Sequence, residues 1–239
     1  LTLIALILFS NSPSQALSED AGAQVDLGAI VLQSEAESEF APIRVPRPER
    51  RIGDTVPAAR WDHRPAGRIW TRAAISALKA HGKPILQTVP RDIQAWCPAY
   101  PDANEEQRAA FWAGFLSALA KHESTYKQAA VGGGGRWYGL LQILPATARG
   151  YKCTAPSREG LKHGPSNLSC AVRILAVVMP RDKVMAHKDR RWRGVAADWG
   201  PMRKASKRKD IAGWTRAQDY CRLRKNVRPK IRPQMQPAN

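Results

Sequence analysis

The chain has 239 residues, 44% of them hydrophobic, and a formal net charge of +18. That length suits one domain with flanking segments. The opening apolar run LTLIALILFS is shorter than the ~20 residues a membrane-crossing helix needs. Ser14 and Ala16 stand where a signal peptidase requires small residues, so residues 1–16 are expected to be an export signal cleaved after Ala16. Residues 17–60 read as a disordered linker. Its first part carries six acids up to residue 40 with no Lys or Arg, and APIRVPRPERR follows. Such a segment buries too little apolar surface to offset its ordering entropy.

Order is expected from Trp61 to residue 223. RIWTRAAISALKAHGKP reads as a helix with Ile69, Trp70, Ala73, Ala74, Ala77 and Leu78 on one stripe, and Gly82 and Pro84 end it. DIQAWCP is a shorter helical turn. NEEQRAAFWAGFLSALAKHES is the strongest helix. Asn104 caps it, Glu105 and Glu106 suit its dipole, and Phe111, Phe115, Leu119 and His122 form a stripe with Trp112, Leu116 and Glu123 beside it. After four glycines, WYGLLQILPATARGY passes from an apolar stretch into a helical turn that Pro145 starts. SNLSCAVRILAVVM is a further buried helix capped by Ser166 or Asn167, and GVAADWGP and DIAGWTRAQDYCRLR complete the core. Strand signals are few, so the fold class is mainly α.

The charge is uneven. From Arg181 onward, 18 Lys and Arg face 5 Asp and Glu. A basic surface seeks a polyanion, and for an exported protein that means cell wall, anionic membrane surface or cell-envelope proteins. Nucleic acid fits only a cytoplasmic protein and is not expected. Residues 224–239, RKNVRPKIRPQMQPAN, read as a basic disordered tail. Cys97, Cys153, Cys170 and Cys221 include no CxxC or CxxxC pair, so no zinc site is expected. In an oxidising compartment they suggest two disulfides, with three connectivities possible. The expected pairs are Cys153 with Cys170, pinning the loop between two helices, and Cys97 with Cys221.

Alone, Glu123 would be an ordinary acid in a last helical turn. Placed at the edge of an apolar stripe it is partly desolvated, which raises its pKa and suits a general acid. Trp137 and Tyr138 are flat surfaces suited to stacking on sugar rings. The glycines before them let a bulky ligand approach the backbone. They are not a phosphate loop, since no GK[ST] follows.

Taken together, Glu123-Ser124 at a helix end, then Gly139-Leu140-Leu141-Gln142-Ile143, Pro145, Thr147-Ala148, Asn167-Leu168 and Ala196-Ala197-Asp198-Trp199-Gly200-Pro201 resemble the soluble lytic transglycosylase family. That family is lysozyme-like and related to goose-type lysozyme. The resemblance covers roughly residues 110–205. It implies a substrate groove and a single catalytic acid/base, Glu123, without cofactor or metal. Ser124 would orient substrate or glutamate, and Gly139, Leu140, Gln142 and Ile143 would shape the groove floor. Gly200 and Pro201 match the end of the third motif. The family tyrosine and asparagine of AYNAG fall on Ala197 and Asp198. Tyr138 or Trp199 would then have to support Glu123, or Asp198 would act as a second carboxylate.

The implied substrate is peptidoglycan, cut between N-acetylmuramic acid and N-acetylglucosamine with formation of a 1,6-anhydro ring, in the periplasm or cell envelope. The rival readings are a hydrolytic lysozyme on the same fold and a wall-binding protein without turnover.

Overall fold

The computed structural model describes residues 56–222; the expected signal, most of the linker and the tail lie outside them. The helices are α1 (Gly67–Lys79), α2 (Lys83–Gln87), α3 (Glu105–Glu123), α4 (Pro145–Gly150), α5 (Arg158–Leu161), α6 (Gly164–Asp182), α7 (Val195–Asp198) and α8 (Ala205–Arg216). Two short antiparallel hairpins complete the description, β1 (Val131–Gly132) with β2 (Trp137–Tyr138), and β3 (Ala186–Lys188) with β4 (Trp192–Gly194). The mainly helical expectation holds. No helix among the described residues is long and apolar enough to cross a membrane.

α3 is the axis. Asn104 Oδ1 accepts from the Gln107 backbone at 2.9 Å, and Gln107 Oε1 accepts from the Asn104 backbone at 3.0 Å, a reciprocal cap. The expected apolar stripe is exceeded, because every residue from Ala109 to Ala120 is buried. α1, α2, α8 and the closing turn at Asp219–Cys221 all pack on it, leaving no solvated face. Its alanines and Gly114 allow that approach: the Tyr220 hydroxyl lies 2.0 Å from where a Gly114 Cβ would be. Phe111 meets Tyr100 edge to face, Phe115 meets Trp96, and Trp112 meets both phenylalanines. The Trp112 indole donates to the Tyr100 hydroxyl at 2.9 Å, and burial pushes that phenol up to about 12.

Two expectations about helices need correction. Ile69 is 58% exposed, and Thr71 is buried in its stead. The Trp61 indole donates to Thr71 Oγ1 at 2.8 Å, which satisfies the hydroxyl and sets the inward face as Gly67, Trp70, Thr71, Ala74, Ala77 and Leu78. α6 starts at Gly164 after His163, ahead of both expected caps, because Pro165 occupies its first turn. Packing also reaches into the assigned linker. Ala59 is buried, and the Arg60 backbone donates to Ser117 Oγ at 2.7 Å.

Both expected disulfides are present, Cys97–Cys221 and Cys153–Cys170, closing sequence separations of 124 and 17. Loop-closure entropy favours the longer link. Replacing Cys97 and Cys221 by Ser is expected to cost about 4–5 kcal/mol, and replacing Cys153 and Cys170 about 3 kcal/mol. Denaturant unfolding of the two double variants checks the order.

Candidate active site

Glu123 is the last residue of α3 and Ser124 is its C-cap. Oε1 of Glu123 is buried and, among the described residues, has no hydrogen-bond partner. Burial pushes the carboxyl up to about 7; Lys207, in the first turn of α8, pulls the other way and does not win. The group therefore holds a substantial protonated fraction at neutral pH, as a general acid must.

The two residues before it are fixed by Asp210. Arg60 grips this carboxylate with two nitrogens, at 2.6 and 3.0 Å, His122 Nε2 lies 2.7 Å away, and Lys121 Nζ 3.2 Å. Arg60 first, then His122 and Lys121, hold Asp210 well below the usual carboxylate range. Burial keeps the His122 imidazole below its ordinary pKa despite this partner. The last turn of α3 is thereby tied to α8 and to the segment before α1. After Ser124, Thr125 (φ 51°) and Tyr126 (φ 62°) both adopt the left-handed region. That is a costly reversal for a β-branched residue, and it turns the chain sharply away from the helix. Two successive turns then lead into β1.

The glycines make the β1–β2 hairpin. Gly133, Gly134 and Gly135 have φ of 57°, 64° and 83°, and the Gly132 carbonyl accepts from Gly135 and Arg136. A Cβ on Gly133 would fall 1.8 Å from the Trp137 ring. These angles make the turn, and Gly133 also leaves room for the tryptophan packed on it.

GLLQI is clamped from several sides. Asn167, fully buried, accepts from the Leu141 backbone at 2.9 Å and donates to the carbonyls of Tyr138 (2.9 Å) and Leu161 (3.0 Å). Gln142, at φ 47°, donates to the carbonyls of Ala130 and Gly139. Gly139 has φ 84°, and a Cβ there would lie 2.0 Å from the Leu161 carbonyl.

These bonds redefine several expected roles. Trp199 is buried, and its indole donates to the Leu141 carbonyl at 3.0 Å. Tyr138 is buried, and its hydroxyl donates to the Gly135 carbonyl. Neither donates to Glu123, and neither offers an open stacking face. Trp137 is 39% exposed, its ring set between Gly133 and the Arg136 guanidinium, which lies 4.8 Å from the ring centre. Leu140 and Ile143 belong to the core. The Ser124 hydroxyl turns back to the Ala120 carbonyl at 3.3 Å. Asp198 is exposed; partial desolvation raises its pKa against the pull of Arg181 and Arg203. The charged groups acting on it do not include Glu123, nor is it among those acting on Glu123. Among the described residues no three His, Cys, Asp or Glu side chains form a group that could hold a metal ion.

The model of the transglycosylase SLT domain matches residues 102–197. The solved structure of wild-type Bd0314 DslA, form 2, is 30% identical, with a TM-score of 0.64 over 70% of this chain and 100% of that one. The chain belongs to the transglycosylase SLT family. Structures of two glutamate-to-glutamine variants of Bd0314 DslA are similar too, at 29% and 30% identity with TM-scores of 0.63 and 0.64, each covering 70% of this chain and 100% of theirs. No curated protein sequence matches. The lysozyme-like helical fold of this SLT chain accords with that membership, and the domain implies peptidoglycan binding. Two disulfides are consistent with an exported cell-wall protein. The residues that sequence reasoning missed are Lys207, Asp210 and Arg60. Only contacts across 57 to 150 positions tie them to α3 and to one another, and no local motif marks these.

Proposed function

We propose that this SLT chain is an exported peptidoglycan lytic transglycosylase, active in the periplasm or cell envelope, with Glu123 as its one catalytic acid and base. The carrying observation is the buried, unpartnered Oε1 of Glu123 on a carboxyl raised to about 7.

In the proposed reaction, protonated Glu123 donates to the glycosidic oxygen as the bond from C1 of muramic acid breaks. The neighbouring N-acetyl carbonyl stabilises the positive charge at C1. Glu123, now a carboxylate, takes the proton of the C6 hydroxyl as that oxygen bonds to C1. A 1,6-anhydro ring closes, no water is consumed, and Glu123 ends protonated as it began. The nucleophile belongs to the substrate and needs no second carboxylate. Trp137 is the partly exposed aromatic that takes a sugar ring in place of the Arg136 guanidinium, and Gln142, Gly139 and Asn167 hold the β1–β2 hairpin beneath it.

A hydrolytic reading needs a carboxylate to activate water. Asp198 answers to Arg181 and Arg203, which gives that reading no support. A binding protein without turnover has one observation in its favour: Ala197 stands where the family tyrosine would be, and Glu123 Oε1 receives no donor.

The pH profile separates turnover from binding. The acid form is the reactive one, so kcat/KM is expected to fall as pH rises through about 7. Lys207 stabilises the carboxylate, so Lys207→Gln is expected to move this limb to higher pH. A limb unmoved by Lys207→Gln would contradict the assignment.

A further inference from the structure

A second feature lies between the β3–β4 hairpin and the third motif. A cavity of about 470 Å³ is lined by Arg181, Lys188, Arg190, Arg191 and Arg203, with Asp198 as its one acid. Tyr151 and Trp192 supply aromatic wall. Lys207 acts on Glu123, while its chain neighbour Arg208 lies 5.7 Å from the Trp192 ring centre.

The wall is built before any ligand arrives. Asp92 accepts from the Met185 and Ala186 backbones at 2.7 and 3.1 Å, and Asp182 accepts from Gly194 at 2.7 Å. These bonds anchor the base of the β3–β4 hairpin. Gly194 sits at φ 64°, where a Cβ would lie 1.9 Å from the Val184 carbonyl. At the tip, Asp189 takes the Arg191 backbone and the Arg193 side chain. The guanidinium groups of Arg190 and Arg191 have no ion-pair partner among the described residues. Arg203 donates to the Ala196 and Ala197 carbonyls, which fixes its charge beside the third motif.

We propose that this cavity takes the carboxylates of the peptide stems carried by the glycan, and so selects stem-bearing strands for the neighbouring acid. The proposal rests on the peptidoglycan reading above. Several separated cations match several separated carboxylates, and the planar arginine fork suits a carboxylate in particular. The aromatic walls suit the apolar parts of a peptide, and Asp198 disfavours a dense polyphosphate.

Calorimetry with the full chain and a free acidic stem tetrapeptide tests it. Arg190→Gln with Arg191→Gln removes two exposed tip charges remote from the anchoring bonds. Binding is expected to weaken at least about tenfold. The tetrapeptide with its carboxylates amidated is expected to bind equally weakly to both proteins. The double variant is also expected to lose cleavage of intact sacculi while keeping cleavage of stem-free glycan strands. Equal tetrapeptide affinity in the two proteins would overturn the proposal. So would tighter binding of inorganic polyphosphate than of the tetrapeptide, lost in the double variant, which would make the ligand a phosphate. The binding assay needs no turnover. Tetrapeptide binding that depends on Arg190 and Arg191, in a protein that cleaves nothing, would sink the catalytic reading and leave this one standing.

Discussion

Glu123→Gln is expected to lower glycan cleavage by at least about 10³-fold while leaving the protein folded. One group serves twice in the proposed cycle, as acid in bond breaking and as base in ring closure, so its amide fails at both steps. The folded-state pKa is raised from 4.5 to about 7, so the stability this carboxyl contributes is full below about pH 4.5 and is lost as pH rises through about 7. Above that, the wild-type chain carries a buried charge with no partner, and the glutamine does not. Thermal unfolding is therefore expected to place the variant above the wild type at pH 8 and level with it at pH 4. An inactive variant that was also less stable at pH 8 would attribute the lost activity to damage.

The second large effect concerns Asn167. Its amide makes three bonds at zero exposure, accepting one and donating two, a combination no apolar residue can copy. Asn167→Ala leaves the Leu141 amide and the Tyr138 and Leu161 carbonyls buried and unpaired. At ~1–3 kcal/mol for each such group, partly relaxed, the loss is expected to reach about 3–5 kcal/mol. For a domain of this size that is a fall of about 10 °C in Tm. Asn167→Asp keeps the acceptor for Leu141 but turns a carboxylate toward two carbonyls. It is expected to be worse at pH 8 than at pH 4, where a protonated oxygen can donate to one of them. Scanning calorimetry at both pH values reads this directly. Activity is expected to fall in parallel, because the same amide holds β2 and GLLQI together.

Much of this was legible in the chain because it is written locally. The Asn104 cap, the two following acids and the apolar run defined α3 almost to the residue, and with it the position of Glu123. Cysteine spacing and compartment favoured the disulfide pairs that are found. The remainder depends on contacts between distant segments. Periodicity put Ile69 inside, but a bond from Trp61 turns the helix toward Thr71. Aromatic character made Tyr138 look like a sugar platform, and Tyr138 or Trp199 a support for Glu123. Each has a polar atom that reaches a backbone carbonyl, and so each faces inward as part of a clamp. The glycines announced backbone freedom without saying which use it served; three positive φ values in succession assign them to a hairpin. The cations around the cavity come from Arg181 to Arg203, and only the folded β3–β4 hairpin gathers them on one wall.

Glu123 Oε1 has no hydrogen-bond partner among the described residues, so burial acts on the carboxyl with only Lys207 opposing it. The consequence is a stronger bias toward the protonated form, which favours the first chemical step.

The decisive measurement is mass spectrometry of the soluble products released from purified peptidoglycan by the wild-type protein, with Glu123→Gln as control. Muropeptides ending in 1,6-anhydro-muramic acid, absent with the variant, are the expected result. Products one water heavier with reducing ends, or identical release by the variant, would contradict a single glutamate using the substrate's own hydroxyl.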